Sequence, residues 1–497
     1  MKPSSLCFDV IVVGGGHAGV EASLICVKLG LSVSLVTIDP GSVGRMSCNP
    51  SIGGLAKGQL VREIDVLGGV MGRVADVSAL QYKMLNKSKG RAVWSPRAQV
   101  DKRVYEQDVM RRVSVSDGLV VCRGEVINIT TFGGGVSGVV LLSGEKMFCR
   151  ALVITCGTFL NGLVHIGEQK TGAGRMGEKN SCGITESLCS LGFYSSRLKT
   201  GTPPRIKTSS INFSRCTVSR GDDNPSPFSC FTSSFSSPNL PCYLTKTNTA
   251  SHQIIKNNLH LSPMFSGDVG GRGPRYCPSI EDKVYRFPQR LGHCLYLEPE
   301  WFQSNQIYLN GFSTSLPLSV QIKALRVVPG LENLEILRPG YAIEYDFFPP
   351  SQLKMTLESK KVSGLFFAGQ INGTSGYEEA AGQGLVAGIN ASMFVLNKEP
   401  LLLSREDSYL GVMLDDLITK DTLEPYRIFT SRAEYRLLLR YSNSEKRLIK
   451  HSKKHGLLTK DELAVLQKKI SLTDTVVSAA QLSLAPEIIN PFLHKRG

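Results

Sequence analysis

No apolar run in the 497-residue chain approaches the ~20 residues that a membrane-crossing helix requires. Only Met1 to Cys7 precede the first strand-like segment, too little for a secretory or transit leader, so a cytoplasmic protein is expected. The sequence has no Cys-x-x-Cys pair and no His-Glu-x-x-His, although it carries 13 cysteines and 8 histidines. Neither a disulfide framework nor a zinc site is indicated, and most thiols are expected to be reduced and to fill space. No internal repeat is found. Acidic residues are comparatively few: 42 Asp and Glu stand against 57 Lys and Arg, a formal charge of +15. That balance predicts an acidic partner such as nucleic acid. Much of the excess is local, since twelve basic and four acidic residues lie between Arg427 and Ile470. The length and a 42% hydrophobic, 20% charged composition predict two or three soluble domains.

What is present begins with "FDVIVV" (8–13), "GGGHAG" (14–19) and the helix-like "VEASLICVKLG". This is a strand, a glycine turn and a helix. Gly14, Gly16 and Gly19 form G-x-G-x-x-G, which allows a tight turn, close approach to a pyrophosphate and close helix packing. A second strand is expected over 32–38. Asp39, twenty residues beyond Gly19, is either the ribose-binding acid of such a unit or an ordinary "DPG" turn residue. "ALVITCGTFLNG" (151–162) reads as a buried strand ending at Gly157. "GLFFAGQINGTSGYEEAAGQGLVAGINA" (364–391) reads as a strand, a turn and a helix with Gly384 and Gly388 for close packing.

The fold class expected is α/β: a doubly wound domain formed by 1–207 and 281–395, an inserted α+β domain over 208–280, and a helical region over 396–497. The insert is marked by a shift to Ser, Pro, Asn and Phe and ends in the dense run "GPRYCPSIEDKVYRF" (273–287), which argues for an ordered segment. "MSCNPSIG" (46–53) and "YCPSIE" (276–281) each place a cysteine beside Pro-Ser-Ile. Proline and glycine favour turns, so Cys48 and Cys277 are expected on loops that can meet a ligand, with Arg45 and Arg275 near them in sequence. In "TSRAEYRLLLR", Arg432, Arg436 and Arg440 recur every fourth position. A helix there would align three guanidinium groups for successive phosphates, the alternative being a solvated face. Arg197, Lys199, Arg205 and Lys207 are expected to extend that surface.

The three glycine-centred pieces resemble the signature of flavoproteins of the FAD-binding Rossmann type, with Gln370 where most such proteins carry an acid. More narrowly, "GGGHAG", "MSCNPSIGGLAKGQLVREIDVLGG", "WSPRAQVD", "LKTGTPPR", "GPRYCPSIEDKVYRFP", "RPGYAIEYDFF", "FFAGQINGTSGYEEAAGQG" and "EPYRIFTSRAEYRLLLR" resemble successive motifs of the MnmG/GidA family. These are FAD-dependent tRNA uridine 5-carboxymethylaminomethyl modification enzymes. The resemblance runs to about residue 445. It implies C5 modification of a wobble uridine with FAD, NADH, a folate-derived one-carbon unit and an amine donor, in a homodimer that works with a GTPase of the MnmE family. It places FAD contacts at Gly14, Gly15, Gly16, His17, Ala18, Gly19, Val126, Ser181 and Gln370. It places the nicotinamide segment at Gly273, Pro274, Arg275, Tyr276, Cys277, Pro278, Ser279, Ile280, Glu281, Asp282, Lys283, Val284, Tyr285, Arg286 and Phe287. The cysteines implicated in chemistry fall on Cys48 and Cys277, and tRNA contact is expected at Arg432, Arg436 and Arg440.

Uracil chemistry suits a thiolate. C5 is a poor nucleophile, but addition of a soft nucleophile at C6 makes an enolate whose C5 attacks a methylene electrophile. The C5 proton must then be taken by the other cysteine, Glu281 or Asp282. Family members continue past "NPFLHKRG" with a helical region for GTPase and tRNA, so partner docking is expected to fail in this chain. A related flavin- and folate-dependent tRNA uridine methyltransferase, and an FAD- and tRNA-binding protein without turnover, are the competing expectations.

Overall fold

The computed structural model describes residues 6–266, 278–420 and 424–480. Its central sheet has seven strands. In order they are Leu119–Arg123, Val33–Thr37, Leu6–Val13, Lys146–Ile154, Gly135–Leu141 and Val126–Phe132, with Leu365–Phe367 also paired to Lys146–Ile154. The first four strands and Leu365–Phe367 are parallel, in registers such as Val10 with Val33, Val13 with Ile154 and Phe367 with Ile154. The remaining two form an antiparallel extension. Val10 to Val13 are almost fully buried, as expected of a continuous apolar strand covered on both faces.

The helix His17–Lys28 follows the first strand and packs on the long helix Tyr377–Val395. Small residues permit that approach: a Cβ on Gly384 would lie 2.1 Å from the Ala18 carbonyl oxygen, and one on Gly388 2.7 Å from the Ala22 Cα. The two helices therefore meet backbone to backbone, which fixes both relative to the strand ends. This is the Rossmann-type FAD-binding fold, with three antiparallel sheets added.

The largest added sheet has six strands between Arg205 and Arg338 and its own apolar core around Leu295, Leu297 and Leu309. This core includes Ile280, Val284 and Leu325, so the inserted layer runs well past residue 280, the boundary expected from the sequence. The reason is that 281–338 contains ordinary strand and helix sequence with no compositional mark. Within the Ser/Pro-rich stretch, Phe228 is 1% exposed and joins the core of the first domain, while Cys230 N–H donates to Asp65. A four-stranded sheet (Gln169–Gly172, Leu163–Ile166, Tyr341–Phe347, Ser196–Thr202) joins the layers.

Near the C-terminal end, the helix Ser444–His455 lies on Lys57–Val66, tied by Arg62 to Glu445 and by Arg447 to Glu63 at 2.9 Å. Between Arg427 and Asn443 the helix expected for the arginine repeat is absent. The segment holds only short 3-10 turns at Thr430–Arg432 and Tyr441–Asn443. Arg405 grips both oxygens of Glu434 (2.6 and 2.8 Å) and the Arg432 carbonyl, while Ala433 and Leu439 are buried as anchors. Those tertiary bonds override the local helical spacing. No helix among the described residues is long and apolar enough to cross a membrane.

Candidate functional site

The carboxyl ends of three adjacent parallel strands open onto one cavity of about 420 Å³. Its walls include Gly16, His17 and Ala18 after the first strand, Gly157 after the Lys146–Ile154 strand, and Gln370 after Leu365–Phe367. Ligands of open α/β sheets bind at such strand ends. Gly14 has φ +107°, a conformation that favours glycine, and Thr155 Oγ1 fastens the turn by donating to the carbonyls of Val13 (2.8 Å) and Gly14 (2.9 Å). A Cβ on Gly19 would fall 1.8 Å from the Gly14 oxygen, so Gly14, Gly15 and Gly19 shape the turn from behind and do not line the cavity.

Gly16 differs. A Cβ there would meet nothing within 4 Å, so the space beside this backbone is open. The helix it starts has no side-chain cap and no acid in its first turn, which leaves its terminal amides available to an anion. A dinucleotide pyrophosphate fits this cradle. Gln370 lies on the same wall and donates to Tyr345 Oη at 3.0 Å. Behind it, Gln383 accepts from Gly369 N–H (3.1 Å) and Asn372 Nδ2 (2.9 Å) and fixes the turn that presents Gln370. Val126 and Ser181 are buried away from this wall. Asp39 takes the turn role, accepting from Gly41 N–H at 3.0 Å.

His17 stacks on Tyr377 with ring centroids 4.5 Å apart, and burial pushes its pKa down to about 4, so it is neutral. Tyr377 Oη in turn accepts from Cys48 N–H at 2.5 Å. This places the Cys48 turn against the N-terminus of the long helix, and Cys48 lines the cavity. Its Sγ lies 3.1 Å from Tyr308 Oη. Its carbonyl accepts from Lys102 Nζ (2.6 Å) and Arg205 Nη2 (3.2 Å). Arg45, expected beside the thiol, turns instead to Glu178 (3.1 Å) and Glu106 (3.8 Å). The cations that hold the cysteine turn are thus Lys102 and Arg205, which no local spacing reveals.

Lys57 bridges Glu378 (2.8 Å) and Glu379 (2.9 Å) in the first turn of the long helix, and Glu378 also accepts from Gly53 N–H at 2.7 Å. Burial alone would lower the Lys57 pKa, but the two carboxylates carry it above its ordinary value. This knot binds the 53–57 end of the 46–57 segment to the first turn of the long helix. Arg427 lines the cavity as well and was not singled out from sequence.

Gly273, Pro274, Arg275, Tyr276 and Cys277 lie outside the described residues. Pro278 to Phe287 do not line the cavity. Ser279 caps the helix Ile280–Arg286, Ile280 and Val284 enter the second core, and Lys283 Nζ donates to the Gly311 carbonyl at 2.7 Å. Tyr285 and Phe287 are exposed, and Arg286 is 3.8 Å from Asp282. Glu281 is fully buried, its Oε1 accepting from Ser262, Thr314 and Ser315 N–H, and burial pushes its pKa up. Its hydrogen bonds point into the core, so the polar group brought to the Cys48 thiol is Tyr308, not Glu281.

Of the three arginines expected on one helix face, Arg432 is drawn inward, over the Tyr426 ring at 4.4 Å and 3.7 Å from Asp416. Arg436 and Arg440 remain exposed. Arg197 pairs with Glu344 and Asp346, and Arg205 is 4% exposed, so neither extends a solvent-facing basic surface. Among the described residues no cluster could hold a metal ion.

The fold and the glycine-turn cavity together define a flavoprotein of the Rossmann type. The family model for glucose inhibited division protein A matches residues 9–399. The chain is 51% identical over 465 residues to the tRNA uridine 5-carboxymethylaminomethyl modification enzyme MnmG of Thermodesulfovibrio yellowstonii, covering 94% of this chain and 74% of that protein. It is 50% identical to MnmG of Chlorobaculum tepidum, covering 99% of this chain and 79% of that one. GidA of Aquifex aeolicus, in its form I crystal, superposes with a TM-score of 0.90 at 46% identity over 93% of this chain and 78% of that structure. This chain belongs to the GidA (MnmG) family.

Proposed function

We propose that this protein is the FAD-dependent enzyme that modifies C5 of the wobble uridine of tRNA. In this reading it draws on NADH, a folate-derived one-carbon unit and an amine donor, as a homodimer with a GTPase partner. One observation carries the reading: the Cys48 thiol stands on the wall of the same cavity as the Gly16 turn and Gln370. Four side chains hold the residue there: Tyr308 at its sulfur, and Tyr377, Lys102 and Arg205 at its backbone.

Gly16 to Ala18 suit the pyrophosphate of FAD, and Gln370 offers a neutral hydrogen-bonding side chain on the same wall. Bound there, FAD supplies two-electron redox chemistry. The residues of the chain do the rest. The Cys48 sulfur forms a bond to C6 of the uracil ring as the C5–C6 π pair moves onto the O4 enolate. The enolate then returns that pair through C5 to an electrophilic methylene. Cys277 or Asp282 takes the C5 proton, the C–H electron pair re-forms the C5–C6 double bond, and the Cys48 thiolate leaves. Tyr308, 3.1 Å from the sulfur, steadies the thiol, and Lys102 and Arg205 fix its backbone. The NADH assignment rests on the family motif over 273–287.

The test is reconstitution. Flavin-loaded protein, its GTPase partner, a tRNA transcript, NADH, methylene-tetrahydrofolate and glycine or ammonium are incubated, and digested nucleosides are weighed by mass spectrometry. A mass gain on the wobble uridine is expected. A methyl group on a uridine elsewhere would instead support the methyltransferase, and flavin binding with no mass gain would support a protein without turnover.

A further inference from the structure

A second cavity, of about 470 Å³, adjoins the first, and Arg45, Ser47, Arg175 and Tyr341 are common to both walls. Its size is ordinary for a small-ligand site, but its charge is not. Its lining has six cations against three carboxylates, Glu106, Glu178 and Glu300. The carboxylates are already taken. Arg45 lies between Glu106 and Glu178, Arg175 is 3.7 Å from Glu178, and Glu300 holds Lys102 and stands 3.6 Å from Arg205. Two exposed cations, Arg103 and Arg338, have no carboxylate partner among the described residues. The Arg103 guanidinium carbon instead lies over the Trp301 ring, 3.8 Å from its centroid.

We propose that this second cavity receives the nucleotide next to the reacting uridine, with its phosphodiester on Arg338 and its base on the Arg103–Trp301 stack. The proposal rests on tRNA uridine being the substrate. A ring brought to Cys48 in the first cavity carries its sugar-phosphate with it, and the shared wall is the route by which the next residue leaves. Unstacked RNA bases are held on aromatic rings and arginine planes, and unpaired cations take phosphates. A net positive charge beside a planar platform matches both demands at once. A carboxylate-bearing small molecule would use the charge but leave the platform idle.

The probe is a 17-nucleotide anticodon stem-loop RNA, in natural form and with one neutral methylphosphonate at either phosphate flanking the target uridine. Binding to flavin-loaded protein is read by fluorescence anisotropy, which requires no turnover. Wild type should bind one of the methylphosphonate RNAs about tenfold more weakly than the natural RNA. Arg338→Ala should lose a similar amount on the natural RNA, show no further loss with that methylphosphonate, and lower the salt slope by about one. Arg103→Ala should weaken both RNAs equally. Flavin content should be unchanged in each variant, which excludes collapse of the first cavity. If Arg338→Ala discriminates the methylphosphonate as wild type does, or if only folate affinity falls in these variants, the proposal is wrong. Normal RNA binding by wild type without any modified product would overturn the proposed chemistry, and the Arg338 and Arg103 results would then place only a bound uridine's neighbour, not a reacting one, in this cavity.

Discussion

Replacing Gly16 with valine separates the flavin cradle from the fold. The backbone there has φ −73° and ψ −174°, an extended conformation any residue adopts, and a Cβ would touch no protein atom within 4 Å. The change in stability of the apoprotein should stay within about 1 kcal/mol, the scale of a helix N-cap substitution. The side chain would occupy the space argued to hold the pyrophosphate, so flavin affinity should fall by more than about tenfold, roughly 1.4 kcal/mol. Gly19→Ala is the contrasting change. Its Cβ would lie 1.8 Å from the Gly14 carbonyl oxygen and 2.9 Å from Thr155 Oγ1, so the turn itself must move. That overpacking should cost about 1–3 kcal/mol of apoprotein stability as well as flavin. The assay pairs flavin absorbance per protein with thermal melting of the stripped proteins. Gly16→Val with a full complement of flavin would refute the placement of the cofactor. So would equal destabilisation of the two variants.

Glu445, 3% exposed, is held at a pKa of about 2: burial pulls it up, but Arg62 and Lys469 outweigh that pull. A depressed folded pKa stabilises above the unfolded value near 4.5 and is lost as pH falls toward about 2. Glu445→Gln should therefore cost about 3 kcal/mol at pH 7 in urea melts, with the difference shrinking between pH 4.5 and 2; a constant difference would refute it. Lys57→Met leaves Glu378 and Glu379 buried without their cation and should cost about 3 kcal/mol together with flavin affinity, read by melting and absorbance. Arg436→Glu with Arg440→Glu should weaken tRNA binding and flatten its salt dependence at unchanged melting temperature, whereas Arg432→Ala should lower the melting temperature.

Where chemistry depends on neighbours in the chain, it could be read from the residues. The Gly14–Gly19 turn, Gly157, Gln370 and the Gly384 and Gly388 contacts are each written in a few adjacent positions, and the structure brings the lining members to one cavity. Cys48 was legible because proline and serine mark its loop. The link of Tyr308, Lys102 and Arg205 to Cys48 was not, because each reaches it from tens to hundreds of residues away; Arg205 was marked by its motif, but for a basic surface. The arginine repeat misled because helical spacing is a local signal, whereas Arg405 and Asp416 capture Glu434 and Arg432 from outside the segment. The inserted layer was under-measured for a similar reason: its later strands are compositionally ordinary and reveal their allegiance only through the core they share with Ile206 and Ile255.

In the proposed mechanism Cys48 does bond-making chemistry on a wobble uridine beside a bound flavin. Its most direct measurement is nucleoside mass spectrometry of tRNA from cells lacking this gene, complemented with wild type or with Cys48→Ser, alongside the flavin content of each purified protein. Wild type should restore the C5 modification. Cys48→Ser should keep its flavin but fall at least about a hundredfold in modified nucleoside, the scale on which a group acting in the bond-making step is lost. Full restoration by Cys48→Ser would contradict it.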